Sequence, residues 1–348
     1  MLSVCTLEQS QKWDAVVRSF ADYDAYYLSG YVKAFQIHGD GEPLLFYYED
    51  SKIRGINVVM KRDIGRDEHF IGKIEENQYY DFSTPYGYGG WLTEGTDIKG
   101  LGEVYIEWCQ RNGIISEFVR FHPVLKNHTL VSSMYEVISL GETVTMDLAS
   151  PEVIWANITS KNRNMIRKAE KNEVRIYNGR YPDIYRKFRE IYDQTMAKDH
   201  AEKYYYFGDE FYESLLNDFP QNAQVFYAEW EGRVIAASIM LMANGRMSYH
   251  LSGSVKEYAK LAPSNLLLYK AALWGCINGC KTLYLGGGVG SGEDSLFKFK
   301  RAFYRGEHLN RFHIGRKVFD DEKYHLLCEL RKLERERIDY FPIYRSNQ

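Results

Sequence analysis

Hydrophobic and polar positions along residues 45–60 (LFYYEDSKIRGINVVM) form an aromatic-rich strand, a polar break and a second apolar strand. The pattern returns about 180 positions later in residues 225–241 (VFYAEWEGRVIAASIML), where Phe226-Tyr227 stands for Phe46-Tyr47, Glu229 for Glu49, Arg233 for Lys52 and Ile239 for Val58. A second echo follows in the same order. Residues 104–121 (VYIEWCQRNGIISEFVRF) predict a helix, a stop at Asn112-Gly113 and a strand; residues 266–286 predict a helix, Asn278-Gly279 and a strand again. Asn-Gly interrupts regular structure because both residues accept positive φ at low cost. Two echoes in register imply two similar units of mixed α/β structure, a duplicated domain.

The rest of the pattern fits that frame. Helices are predicted over 6–20 and 28–38, and over 98–111 before the strand 114–121. Residues 79–92 (YYDFSTPYGYGGWL), with Pro85, Gly87, Gly89 and Gly90, predict an ordered loop studded with aromatics, a good place for ligand contacts through Tyr86. VTMDL (144–148) reads as the last strand of the first domain, so the domains are expected at 1–149 and 150–317. Ser150-Pro151-Glu152 starts a helix, since proline suits the first helical turn, and Thr159 and Ser160 cap the next. Further helices are expected over 182–198, after the Tyr204–Phe207 run, over 263–278 and over 295–303; strands are expected at 174–177, 224–243, 246–252 and 281–285. A last amphipathic helix over 321–338, with Leu327, Leu330 and Leu333 on one face, is expected to pack, with the rest of 318–348, on the first domain.

Composition narrows the class. Two domains of ordinary size fit in 348 residues, and a net charge of −3 offers no global attraction to nucleic acid or an acidic membrane, so a polyanion needs a local basic patch. The 29 tyrosines exceed the 18 phenylalanines, enough to supply rings both to sheet faces and to a polar-ligand groove. Five scattered cysteines, Cys276 and Cys280 among them, lack zinc-site spacing and read as reduced, packed thiols of a cytoplasmic protein. No stretch approaches the ~20 apolar residues that cross a bilayer, and the polar start does not read as a signal peptide.

Several stretches carry candidate chemistry. Lys161, Arg163, Arg167, Lys168, Lys171 and Arg175 face only Glu170 and Glu173, and Arg163, Arg167 and Lys171 share one helical face, a local site for phosphates or else a solvated stripe. Residues 286–292 (GGGVGSG) hold five glycines in seven positions but fit neither GxxxxGK[ST] nor GxGxxG, and the Q/R-x-x-G-x-G/A loop of ordinary acetyltransferases is not clearly present. In SLFKFKRAF (295–303), Phe299 and Phe303 lie one turn apart and pack inward; Lys300 stands beside them, placed either in solvent or toward a cleft where its ammonium meets a developing oxyanion. There is no nucleophile elbow, HExxH or catalytic CxxC. His250, at a strand-to-loop edge, is the one histidine placed near candidate chemistry.

SKNRNMIRKAEKNEV, PYGYGG, KYYYFGDEFYESLL, SYHLSGS…APSNLLLYKAALWGC and LFKFKRAF together resemble the Fem-type aminoacyltransferases and related tandem acetyltransferase-like (GNAT) proteins over residues 25–315. The resemblance implies two tandem GNAT-like domains, here without the long helical arm that the staphylococcal-type members carry. It implies that the Phe299-Lys300 pair is catalytic, with Lys300 steadying the tetrahedral oxyanion, and that Lys33 and Lys203 meet precursor phosphates. Tyr205, Tyr206 and Tyr249 would line the acceptor groove. The co-substrate implied is aminoacyl-tRNA or acyl-CoA, with no tightly bound cofactor and no metal. The partner implied is a nucleotide- or lipid-linked cell-envelope precursor, with tRNA and the membrane surface as further candidates.

The chemistry expected is direct attack of an acceptor amine on an activated acyl carbon, both held in one cleft, with Glu293 or Asp294 as candidate proton acceptors. Two rivals stand beside it: an acyl-CoA-dependent N-acyltransferase of polysaccharide or envelope synthesis, and a non-catalytic module that holds a sugar phosphate.

Overall fold

The computed structural model describes residues 1–333 and 340–347. The chain opens with β1 (Leu2–Cys5), α1 (Ser10–Arg18) and α2 (Ser29–His38), the last stopped by Gly39 at φ 104°. The aromatic run folds as the hairpin β2 (Glu42–Glu49) and β3 (Ile53–Asp63), followed by β4 (Tyr80–Ser83), β5 (Leu92–Gly95), α3 (Lys99–Arg111) and β6 (Ile114–Arg120). A long strand, β7 (Glu136–Asp147), leads to α4 (Pro151–Asn157) and α5 (Ser160–Lys171), capped by the side chains of Ser150 and Thr159. Next come β8 (Arg175–Gly179), α6 (Pro182–Lys198), α7 (Asp209–Asn217), β9 (Ala223–Trp230), β10 (Arg233–Ala243) and β11 (Arg246–Ser254). The remaining elements are α8 (Pro263–Ile277), β12 (Thr282–Gly286), α9 (Ser295–Arg301), β13 (Asn310–Val318) and α10 (Asp321–Leu330).

These elements form two compact units, Met1–Leu140 with Phe312–Gln348, and Gly141–Arg311. The first divide falls at 140/141, ahead of 149/150, because the later part of β7, Val144–Asp147, pairs with β12 of the second unit.

The duplication is visible strand by strand. In the first unit the order is β1-β2-β3-β4-β6-β13, and in the second β8-β9-β10-β11-β12-β7. Each sequence of pairings is antiparallel throughout except for one parallel pair, β4 with β6 and β11 with β12. The hairpin registers agree too: Phe46 lies opposite Asn57, and Phe226 opposite Ser238, both polar partners fully buried. The sixth strands are exchanged. The fifth strand of the first sheet, β6, pairs with β13 from the far end of the sequence, while β12 pairs with β7, the strand that follows β6. VTMDL therefore hydrogen-bonds to β12 in the second unit rather than closing the first sheet, as the sequence suggests.

Each unit buries its own core. In the first, Phe46, Phe82, Trp91, Leu101, Tyr105 and Phe121 pack between the sheet and α3. In the second, Ile154, Ile166, Phe226, Met240, Leu266 and Leu283 pack between α4, α5, α8 and the sheet. Four strands are absent from the sequence reading, among them β5, which is four residues long. β1 is short and β13 is largely polar; β4 lies within the stretch expected as loop, where the glycines begin only after Ser83. The terminal helix ends at Leu330, and residues 334–338 of the expected helix lie outside the described residues. Residues 340–347 nonetheless dock on the first unit, with Tyr344 fully buried against Phe70 and Tyr324.

Candidate active site

The candidate site lies in the second unit, where β12 ends and the glycine run leads into α9. Asp294 caps this helix, accepting from Phe297 N at 2.8 Å, so Phe297 and Phe303 turn into the core while Phe299 packs edge-on to Phe303 at 5.5 Å. That arrangement carries Lys300 inward. The sequence left it between solvent and a cleft; it is 9% exposed and its Nζ donates to Gly287 O at 2.6 Å. Burial pushes its ammonium down to about 8, with the Asp294 carboxylate pulling the other way. The group therefore stays largely charged at neutral pH, and two of its three hydrogens remain for a ligand.

Two glycines of the run are demanded locally, Gly286 by its backbone angle and Gly288 by contact. Gly286 stands at φ 81°, and a Cβ on it would lie 3.4 Å from Lys300 Nζ. A Cβ on Gly288 would lie 2.2 Å from Gly292 O, and one on Gly141 at the start of this unit 2.0 Å from Ser291 O. The loop is thus held on two sides.

The two parallel strand pairs differ where a ligand would enter. The ladder between β11 and β12 ends at Ser248–Tyr284, and from Tyr249 onward the strand partner of β11 among the described residues is β10. In the first unit the corresponding gap is bridged by the 84–90 loop: Thr84 N donates to Phe118 O, Gly89 N to Arg120 O and Arg120 Nε to Gly87 O. The first strand pair is stitched shut and the second is open.

Other expected site residues fall in separate places. Tyr249 lies where β11 leaves β12, partly packed on the core, with burial raising its phenol. His250 is the extra residue of a β-bulge, opposite the Ile239–Met240 step; burial pushes its imidazole down to about 3, so it is neutral. Lys203, Tyr205 and Tyr206 form a turn before α7 whose anchor is Phe207, stacked on Phe211 at 4.3 Å, with Lys203 and Tyr206 exposed. Arg163 and Arg167 lie over the Trp155 ring at 5.8 and 5.3 Å, and Glu170 is paired with Lys270 at 3.0 Å, leaving a basic face on α5. The start of α5 is joined to the end of α9: Thr159 N and Asn162 Nδ2 both donate to Ala302 O, and Asn265 donates to Asn162 at 2.7 Å. This link was not read from the sequence, although two asparagines beside a cap were its only trace. Lys33 and Tyr86 belong to the first unit, Lys33 exposed on α2 and Tyr86 stacked on Phe35 of the same helix at 5.7 Å.

Asp294 is a weak base. Both its oxygens accept backbone N–H groups, from Phe297 and Val289, and these hold its carboxyl below the usual range. Among the described residues no cluster of three His, Cys, Asp or Glu could hold a metal, and no helix is long and apolar enough to cross a membrane. All five cysteines are free.

Residues 159–301 match the family model described as an acetyltransferase (GNAT) domain, a stretch that lies wholly within the second unit. Solved structures of similar fold include FemX, 11% identical, with 94% of this chain and 99% of that chain covered at a TM-score of 0.66. A conserved protein of unknown function from Bacteroides thetaiotaomicron VPI-5482 is 11% identical, covering 91% of this chain and 99% of its own at 0.58. The C-terminal domain (DUF2156) of a putative lysylphosphatidylglycerol synthetase from Agrobacterium fabrum is 13% identical, covering 94% and 95% at 0.57. At such identities the likeness is one of fold. No curated protein matches the sequence. The second unit is a GNAT domain, and the chain is an acyltransferase with a mixed α/β, Fem-like tandem fold.

Proposed function

We propose that this acyltransferase moves an aminoacyl group from aminoacyl-tRNA to an amine of a peptidoglycan precursor or a related cell-envelope acceptor. The observation that carries this reading is the buried Lys300 ammonium, set beside the open end of the β11–β12 pair. The acceptor nitrogen, entering unprotonated, attacks the acyl carbon; the N–C bond forms, and the former carbonyl oxygen takes up negative charge beside Lys300. Collapse breaks the C–O ester bond, and the amine proton leaves with the released hydroxyl. A positioned cation at the oxyanion is worth roughly 3 kcal/mol as a single donor. Phe299 acts by holding α9 on the core, and Tyr249 and neutral His250 flank the opening. Lys33, Tyr86, Lys203, Tyr205 and Tyr206 are assigned to acceptor binding, Arg163 and Arg167 to phosphates, and the protein to the cytoplasm.

The donor choice rests on the segment before α8. Residues 254–265 (SVKEYAKLAPSN) contain no glycine, and α8 begins at Pro263 with Ala262 at φ 56°. A pyrophosphate bound at a helix start needs close backbone approach and free N–H groups, which glycine provides and proline withholds. The neighbour described as a lysylphosphatidylglycerol synthetase has a product whose name joins an amino acid to a lipid, in line with aminoacyl transfer. The GNAT match favours acyl-CoA as the second reading.

The test offers nucleotide- and lipid-linked muropeptides as acceptors, with aminoacyl-tRNA or acetyl-CoA as donor, and reads the acceptor mass. Addition of an aminoacyl residue that disappears in Lys300→Ala supports the proposal. Transfer from acetyl-CoA alone overturns the donor, and no transfer from either overturns the reaction.

A further inference from the structure

We propose that Asp294 is the positioning residue for Lys300, tying the glycine loop and the first turn of α9 into one rigid piece that aims the ammonium. The inference rests on the assignment of Lys300 to the oxyanion.

The geometry is a double strap. Oδ1 of Asp294 accepts from Phe297 N inside the helix, while Oδ2 accepts from Val289 N in the loop at 3.1 Å. Two residues before Val289, Gly287 O accepts from Lys300 Nζ. The loop is therefore gripped at Gly287 by the ammonium and at Val289 by the carboxylate, both from the same short helical segment. Gly288 lies between the two grips, and a Cβ there would come within 2.5 Å of Asp294 Oδ1, so a glycine at this position is what admits the carboxylate. Without the strap, Lys300 keeps its helix but loses the fixed loop that defines where Nζ sits, and misplacement of a catalytic group by about 1 Å costs on the order of 10²-fold.

A plain helix cap would account for the Phe297 bond alone. Asparagine caps a helix about as well as aspartate, but it carries no charge and offers one acceptor oxygen instead of two. Asp294→Asn therefore separates capping from positioning. The Tyr284 ring and Lys300 Nζ both lie within 4 Å of where a Cβ on Gly286 would stand, and among the described residues Asp294 is the group whose charge acts on the ammonium.

The experiment labels native protein with acetic anhydride over about pH 6 to 10 and follows the Lys300 peptide by mass spectrometry, which needs no substrate. In Asp294→Asn the midpoint of Lys300 labelling is expected to move to lower pH, and its rate at neutral pH to rise roughly 3- to 10-fold. Gly288→Ala, which keeps the charge but sets a methyl against the Asp294 carboxylate, is expected to raise the rate as well by displacing the loop and its strap. Unchanged Lys300 labelling in Asp294→Asn, with the parent melting temperature, overturns the proposal. Parent-like labelling in Gly288→Ala does so if Asp294→Asn fails to fold. Should the labelling shift while Lys300→Ala keeps full turnover, the strap stands and the assignment of Lys300 to the oxyanion falls instead.

Discussion

Arg345 donates to Asp81 at 2.5 Å across 264 positions of sequence, and Arg62 meets the other carboxylate oxygen at 2.7 Å. Asp81 has no exposed surface, and Tyr344 and Ser116 complete the cluster around it. Burial works to raise the Asp81 carboxyl, but Arg345 and Arg62 together hold it below the usual carboxylate range. The terminal segment is thus a structural part of the first unit.

Arg345→Ala leaves that buried carboxylate with half its compensation, and breaking a buried pair costs about 3–5 kcal/mol. Urea denaturation at pH 7 is expected to show a loss of that order. Because the carboxyl is depressed in the folded state, the stabilisation is present above its unfolded value and lost as pH falls. The gap between variant and parent should accordingly narrow toward about pH 3.

Turnover should depend on a protonated Lys300. With that ammonium at about 8, kcat/KM is expected to fall as pH rises through about 8, beside an acid limb set by protonation of the acceptor amine. Lys300→Ala should lower kcat by about 10²- to 10³-fold with little change in KM, whereas Lys300→Arg should move the alkaline fall to higher pH. A pH–rate profile of the three proteins checks this, using the donor and acceptor found by the screen.

A second buried carboxyl reports on the first unit. Glu117 accepts from Asn57, Tyr105 and Tyr135, with no exposed surface, and burial raises it to about 7 despite those three hydrogen bonds. An acid raised in the folded state binds its proton more tightly there than when unfolded, so stability falls as pH climbs from about 4.5 to about 7. Glu117→Gln removes the titration. Its melting temperature relative to the parent should improve steadily between about pH 5 and about pH 8; a constant difference would show that Glu117 does not titrate in this range.

Cutting the chain should give unequal halves. Residues 141–311 contain β8 to β12 and the part of β7 that pairs with β12, and are expected to melt cooperatively by themselves. Residues 1–140 lack β13 and the Arg345 segment, leaving β6 as an unpaired edge and Asp81 without Arg345. Near-ultraviolet circular dichroism should show fixed tertiary packing in the first case and little in the second.

Much of the fold was legible because local signals carried it. The aromatic hairpins, the Asn-Gly stops and the Ser150 and Thr159 caps each depend on a few neighbouring residues, and they led to the right elements. The exchange of β7 and β13 was hidden, because strand partners are chosen by long-range fit and neither strand shows which neighbour it joins. Lys300 was seen as a candidate but not as buried: its depth comes from Phe297 and Phe303 anchoring α9 on the core, which a charge spacing of two residues conceals. Asp294, offered by the sequence with Glu293 as either a surface acid or a proton acceptor, accepts from the backbone N–H groups of Phe297 and Val289. The stitched-shut strand pair of the first unit follows from the 84–90 loop, whose glycines were visible but whose hydrogen-bond partners were not.

The crossed-over sixth strand has a consequence for synthesis on the ribosome. Translation delivers the amino-terminal half first, yet its sheet stays open until residue 318 has left the exit tunnel, by which time the later half already has every strand it needs. The nascent amino-terminal half must wait, with one flank bare, until β13 has been made.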